Sequence, residues 1–175
     1  MTAAPVLDPQ RTALILVDLM ERIVALPLEP RKGTEVLATA DELARAFRSA
    51  GALVVLVRVE RPAVAEQPPG SGLVPGLLRD GDLEVVKRTI GAFQGTGLDE
   101  RLRERGVTTL VFGGIATNLG VESTARAAAD LGYDLVFAED TMAAFTAAEH
   151  EATVRLDFPR LGTVVTASRL RFGTG

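Results

Sequence analysis

The fold this sequence predicts is a single α/β domain: a mostly parallel sheet flanked by helices on both faces, a Rossmann-like three-layer arrangement. Three observations carry it. Apolar, β-branched runs recur without polar interruption, helical patterns lie between them, and a glycine follows three of those helical patterns. Unbroken apolar runs suit strands buried on both faces, because a half-exposed strand would alternate. Strands that alternate with helices pair in parallel, each helix crossing back over the sheet. The 175 residues, 47% of them hydrophobic and 24% charged, suit one globular domain with a full core.

The elements follow in order. "TALILVD" (Thr12–Asp18) is the first strand, and "GTEVLATADELARAFRS" (Gly33–Ser49) is a helix with Gly51 at its left-handed cap. "ALVVLVRV" (Ala52–Val59) is the second strand, and "EVVK" (Glu84–Lys87) a short third. Between them "RPAVAEQPPGSGLVPGLLRDG" (Arg61–Gly81) is a loop rich in Pro and Gly; its length suits a lid over a site or a surface excursion. A helix over Leu98–Arg105 ends at Gly106, and "TTLVFGG" (Thr108–Gly114) is the fourth strand. A helix over Asn118–Leu131 ends at Gly132 and leads into "YDLVFAED" (Tyr133–Asp140). A helix over Thr146–Phe158 and a strand "GTVVTA" (Gly162–Ala167) complete the domain, and the tail "RFGTG" is expected to be disordered. There is no internal repeat and no low-complexity tract.

Composition removes several function classes. A formal charge of −4 argues against a nucleic-acid surface, and the basic cluster "RLRERG" reads as the solvated face of a helix. No apolar run approaches the roughly 20 residues that span a bilayer, and no basic segment precedes an apolar one at the N-terminus. With no cysteine there is neither disulfide nor thiol, and a cytoplasmic location is expected.

In open parallel sheets ligands sit beyond the carboxyl ends of the strands. Asp18 ends the first strand, Lys87 ends the third, and residues 114–120 follow the fourth. A carboxylate and an ammonium brought together there exchange protons with a substrate, and each tunes the other. The alternatives are a helix N-cap for Asp18 and a surface position for Lys87, which has Arg88 beside it. Arg58, Glu60 and Arg61 close the second strand and are further candidates for substrate contact, while Phe93 serves either the pocket or the core.

Two longer stretches bear a family pattern. "ALILVDLMERIV" is one. The other runs from Lys87 through "VFGGIATNLGVESTARAAADLGYDLVFAEDTMAA". Lys87, Gly91, Phe93, Thr96 and Leu98 match one cue, and Gly114, Ala116, Thr117, Val121, Thr124, Ala125 and Ala128 match a second. In this order and spacing the chain resembles the isochorismatase-like hydrolases, a family within the cysteine hydrolases, from about residue 12 to residue 165. The resemblance implies residues 1–11 as an N-terminal extension, 12–168 as the hydrolase domain and 169–175 as a C-terminal tail. It also implies Asp18 as the acid/base, Lys87 as its electrostatic partner, and a cis peptide between Ile115 and Ala116. The Ala116 and Gly120 N–H groups would then form an anion pocket, aided by the helix N-terminus. Phe93, Thr117 and Asn118 would contact the substrate.

The departures narrow the chemistry. The family's amidases open the helix after the fourth strand with a nucleophilic Cys, where this chain has Gly120. Ser123 and Thr124 lie about a helical turn further on and do not replace it. Nicotinamidase-type relatives hold a metal with an Asp and histidines. Here the single histidine, His150, is expected on a helix surface, so no metal or other cofactor is expected. Met20 stands where the family often has Gln. True isochorismatases also carry Gly at the nucleophile position and hydrolyse a vinyl ether without a covalent intermediate, but they have an aromatic residue and a histidine where this chain has Ala116 and Asn118. The resemblance therefore implies a metal-independent hydrolase of a small metabolite, with a carboxylate to meet Lys87 and the helix end. Its partner is a small-molecule substrate, with no nucleic acid and no membrane, and the chain is expected to form a homo-oligomer (dimer or larger). The competing reading is a catalytically silent relative that binds a metabolite or acts as an oligomer. A flavodoxin-like cofactor domain lacks support, because "DLMERIV" stands where a Gly-rich phosphate loop would.

Overall fold

A computed structural model describes residues 5–173. Six strands form one all-parallel sheet: β2 (Thr12–Val17), β3 (Leu53–Val59), β4 (Leu83–Lys87), β5 (Thr109–Ile115), β6 (Asp134–Ala143) and β7 (Thr163–Val165). Their order across the sheet is β4-β3-β2-β5-β6-β7, so the chain steps outward from β2 and then returns to lay β5 on its other side. The reversal opens a crevice beyond the carboxyl ends of β2 and β5, the position where such sheets bind ligands.

Helices cover both faces. On one lies α2 (Gly33–Ser49), whose buried residues Val36, Ala40, Leu43, Ala44 and Phe47 repeat at helical spacing. They pack with Leu14, Leu16, Val54, Leu56 and Val111 of the sheet. The opposite pleats, Ala13, Ile15, Val17, Val55, Val57 and Phe112, meet α3 (Leu98–Glu104) and α4 (Glu122–Asp130) on the second face. Neighbouring residues of β2 and β3 thus serve different cores, which is why both strands read as continuous apolar runs. The second core also stacks Phe112 on Phe137 (5.7 Å between ring centroids) and Phe137 on Phe158 (3.9 Å).

Gly51, Gly106 and Gly132 take positive φ after α2, α3 and α4, as the left-handed caps require. The expected helix over Asn118–Leu131 begins one residue earlier, as a π-helical turn (Thr117–Val121) running into α4. The expected helix over Thr146–Phe158 is three pieces: α5 (Ala147–Ala152), a π-helical turn (Thr153–Asp157) and α6 (Phe158–Leu161). Thr146 caps α5 by accepting from the Glu149 N–H at 3.2 Å. β6 continues past Asp140 because Thr141, Met142 and Ala143 are buried against β5, where the register shifts between Phe112 and Gly114.

Two features depart from the sequence expectation. The tail is ordered where it is described: β8 (Arg171–Phe172) pairs in parallel with β1 (Val6–Leu7). Leu7 and Leu170 are buried there, and Phe172 meets Phe47 edge-on at 4.9 Å, so apolar burial holds the two flanks together. Thr174 and Gly175 lie outside the described residues. The second is a short helix, α1 (Glu21–Val24), directly after Asp18. The long loop docks on it: Gly72 O accepts from Glu21 N–H (3.1 Å), Gly70 O from Arg22 N–H (3.0 Å), and Leu19 O from Val74 N–H (3.0 Å).

Candidate active site

Asp18 is the first residue beyond β2. Its φ of 54° is left-handed, a conformation Asp tolerates better than most residues. Its N–H still donates to Val57 O at 2.8 Å, so the backbone is locked to β3 while the side chain turns into the crevice. Lys87, the last residue of β4, reaches across from beyond β3. Its Nζ lies 3.0 Å from Asp18 Oδ2 and also donates to Thr89 O at 3.3 Å. Asp18 is 7% exposed and Lys87 only 3%, so Lys87 is not the surface lysine that its neighbour Arg88 suggested. Burial pushes the Asp18 carboxyl above its ordinary value, although Lys87 and, more weakly, Arg22 pull it down. Oδ2 is held by the ammonium, whereas Oδ1 is buried with no hydrogen-bond partner among the described residues.

The turn after β5 faces this pair. Gly113 and Gly114 allow it: a Cβ on Gly113 would collide with Thr141 Oγ1, and one on Gly114, at φ 121°, with the Val17 backbone. The next peptide, Ile115–Ala116, is cis. A Cβ added at Gly120 would lie 3.4 Å from Asp18 Oδ2 and 3.0 Å from Val17 Cγ1. Position 120 therefore points at the carboxylate, and a side chain there would press on Val17 and Asp18, so glycine lets the turn approach the pair closely. Thr124 is fully buried and occupied: its hydroxyl donates to Gly120 O (2.6 Å) and accepts from Ala92 N–H (3.1 Å), which fixes the turn. Asn118 is half-buried on the same turn, with Oδ1 buried and unpartnered among the described residues.

Several candidates are placed elsewhere. Thr117 is fully buried, and its hydroxyl meets His150 Nδ1 at 2.8 Å, a contact within the protein that ties the turn to α5. His150 is the partner the sequence did not suggest: it is 3% exposed, with Nε2 3.5 Å from Glu139 Oε2, and Arg31 pairs with the same carboxylate at 3.1 Å. The hydrogen bond from His150, and less so Arg31, holds Glu139 below the ordinary carboxylate range against the opposing effect of burial. Phe93 packs toward Tyr133, 6.1 Å between rings, in a cleft whose lining includes neither Asp18 nor Lys87. Arg58 pairs with Glu60 (2.8 Å) and Glu84 (2.7 Å), and Glu60 also with Arg88, so these charges are bound to one another. Arg61 holds Gln67 through its backbone alone. Met20 is buried and accepts from Val59 N–H through sulfur at 3.4 Å. Among the described residues no group of three or more His, Asp or Glu side chains could hold a metal ion, and no helix is long and apolar enough to cross a membrane.

Known proteins share both the sequence pattern and the fold. The family model described as "Isochorismatase domain" matches residues 12–169. The chain belongs to the isochorismatase family. Within it, the chain is 41% identical over 174 residues to the uncharacterized isochorismatase family protein YwoC of Bacillus subtilis (strain 168), covering 89% of this chain and 90% of that protein. It is 39% identical over 175 residues to the uncharacterized family protein YecD of Escherichia coli O157:H7, covering 90% and 93%. A solved isochorismatase family protein from Burkholderia thailandensis superposes with a TM-score of 0.84 at 36% identity, over 96% of this chain and 97% of that one. Isochorismatase family membership supports a hydrolase, and the flanked parallel sheet is the family's fold.

Proposed function

We propose that this protein hydrolyses a small metabolite without a metal and without a covalent thiol intermediate, with Asp18 as the proton donor. One observation carries the reading: a buried carboxyl, held on one oxygen by Lys87 and unpartnered on the other among the described residues, lies against the side-chain-free Gly120. Burial favours the neutral acid, and with Oδ2 on the ammonium the exchangeable proton belongs on Oδ1, the unpartnered oxygen. The pair suits a vinyl ether. Asp18 Oδ1–H protonates the enol-ether carbon; the ether oxygen's lone pair forms an oxocarbenium ion; water adds to the cationic carbon. Asp18, now a carboxylate beside Lys87, takes the proton from that water. The hemiketal then breaks its carbon–oxygen bond to give a carbonyl product and an alcohol.

Lys87 stabilises the carboxylate as it forms, which makes proton donation easier without bringing in a further charge. The Ala116 and Gly120 N–H groups and the helix N-terminus hold negative charge on the substrate, and Asn118 Oδ1 accepts from a substrate hydroxyl or N–H. We place the protein in the cytoplasm as a homo-oligomer, which sedimentation at micromolar concentration tests.

The deciding experiment is pyruvate release from isochorismate by the native protein and Asp18→Asn at equal concentration. Release by the native protein alone supports the reading, and equal release by both overturns the role of Asp18. Release by neither removes this ether, and the same comparison then moves to other small ethers and esters. A silent protein that only binds metabolites would turn over none of them.

A further inference from the structure

Two cations act on Asp18, Lys87 and more weakly Arg22, and only Lys87 is committed to an ion pair. Lys87 is taken up by Asp18 Oδ2 and Thr89 O. Arg22, four residues beyond Asp18 on α1, makes no ion pair among the described residues, although the chain has 23 acidic side chains. It is half-buried, and its head is not loose: Nε donates to Ser71 Oγ at 3.1 Å, and Ser71 is itself buried.

The loop segment Gly70–Ser71–Gly72 is shaped to sit on this arginine. Gly70 O and Gly72 O accept the Arg22 and Glu21 N–H groups. Gly70 has φ +75°, and a Cβ there would lie 3.1 Å from Arg22 N and 3.2 Å from Arg22 Cβ, so another residue would be strained in its backbone and tight against the helix. Using Nε on Ser71 fixes the guanidinium plane while leaving its terminal nitrogens as a fork, the geometry that matches a carboxylate in two-point contact. The charge of Arg22 is also felt at Asp18, which places the guanidinium in electrical reach of the reacting group.

We infer that Arg22, oriented by Ser71, is the specificity-determining anchor for a carboxylate on the substrate, with Asp18 acting on the bond beside it. This deepens the hydrolase reading and rests on it for the role of Asp18. It also gives the Pro- and Gly-rich loop a function: its 70–72 segment is one wall of the carboxylate subsite. The substrate class is then a small acid, and the corresponding amide, of the same shape without the charge, binds poorly.

The test is a binding measurement that does not depend on turnover. Titration calorimetry compares pyruvate and cyclohexanecarboxylate with their neutral amides on the native protein, Arg22→Gln, Arg22→Lys, Ser71→Ala and Asp18→Asn. The native protein is expected to prefer each acid over its amide by at least about tenfold. Arg22→Gln loses that preference, Arg22→Lys keeps part of it, and Ser71→Ala weakens it by loosening the guanidinium. Asp18→Asn retains the preference, so a failure of the proton-donor reading and a failure of the anchor are told apart. No acid-over-amide preference in the native protein, or an undiminished one in Arg22→Gln, overturns the inference.

Discussion

Removing the ammonium from the buried pair, by Lys87→Met, tests the electrostatics on which the candidate site depends. At 3.0 Å and an effective dielectric constant of about 20, the attraction between Lys87 and Asp18 is about 5–6 kcal/mol. Desolvation of both groups offsets part of this, and breaking a buried pair on one side costs about 3–5 kcal/mol. The loss must depend on pH. Burial already raises the Asp18 carboxyl above its value in the unfolded chain, and Lys87 is the largest influence pulling it back. Without Lys87 the folded value rises further. Below about pH 4 the group is protonated in both the folded and the unfolded chain and costs nothing. As pH rises through the folded value, the unfolded chain gains more from ionising, and stability falls. Urea denaturation at pH 4, 6 and 8 is therefore expected to show a small loss at pH 4 and the full loss at pH 8. Asn tolerates left-handed φ, so Asp18→Asn does not add backbone strain, and a double variant completes the cycle. The double variant is expected to lose about 2 kcal/mol less than the sum of the singles. Losses that add within about 0.5 kcal/mol, or a Lys87→Met loss that is flat with pH, would refute the reasoning.

Three other outcomes follow from the geometry. Gly114→Ala drives a Cβ into the Val17 backbone at a positive φ, and is expected to cost more than about 4 kcal/mol, read as loss of folded protein in a thermal melt. His150→Ala leaves the Thr117 hydroxyl buried and unpaired, with an expected loss of about 2–3 kcal/mol by chemical denaturation. The folded Glu139 value is depressed, so its contribution is present above the ordinary Glu range and is lost as pH falls through the folded value; the gap between native and His150→Ala narrows there. Asp82→Asn breaks the two-point contact that Arg48 makes with a carboxylate only 2% exposed (3.0 and 2.7 Å). It is expected to cost about 3 kcal/mol in the same assay, loosening the loop end from α2.

The sheet was legible because its central strands are buried on both faces, so Thr12–Val17 and Leu53–Val59 announce themselves as unbroken apolar runs. The two-residue strands were not. Val6–Leu7 and Arg171–Phe172 are too short to show a period, and what orders them is Phe172 meeting Phe47, a contact between residues 125 positions apart. α1 was hidden for a similar reason: four residues hold less than two turns of pattern, and its place depends on carbonyls of the 70–72 loop segment. The π-helical turns were also invisible, since they insert a backbone irregularity that leaves the composition of a helix unchanged.

For the site, the same contrast separates what a strand end reveals from what a helix face conceals. Asp18 and Lys87 stood out by position, because residues that end strands of one parallel sheet converge at its carboxyl edge whatever lies between them in sequence, but it was the family pattern that favoured them over a helix N-cap and a surface lysine. His150 offered no such rule. A lone histidine in "TAAEHEATVRL" is as compatible with solvent as with burial, and only the three-dimensional path of α5 decides, by setting the ring against Thr117 and Glu139. Thr117 carried a partial signal, because it sits at the opening of the turn bearing Gly120, but a hydroxyl there serves a substrate or a buried partner equally well on sequence grounds. In the structure the Thr117 hydroxyl is taken by His150, so the polar side-chain atom of the turn left without a partner among the described residues is Asn118 Oδ1. Of the buried polar atoms without a hydrogen-bond partner among the described residues, Asp18 Oδ1, Asn118 Oδ1, Asp41 Oδ1 and Arg48 Nη1, the first two belong to the end of β2 and the turn bearing Gly120, so hydrogen-bond accounting singles out groups that residue type alone does not.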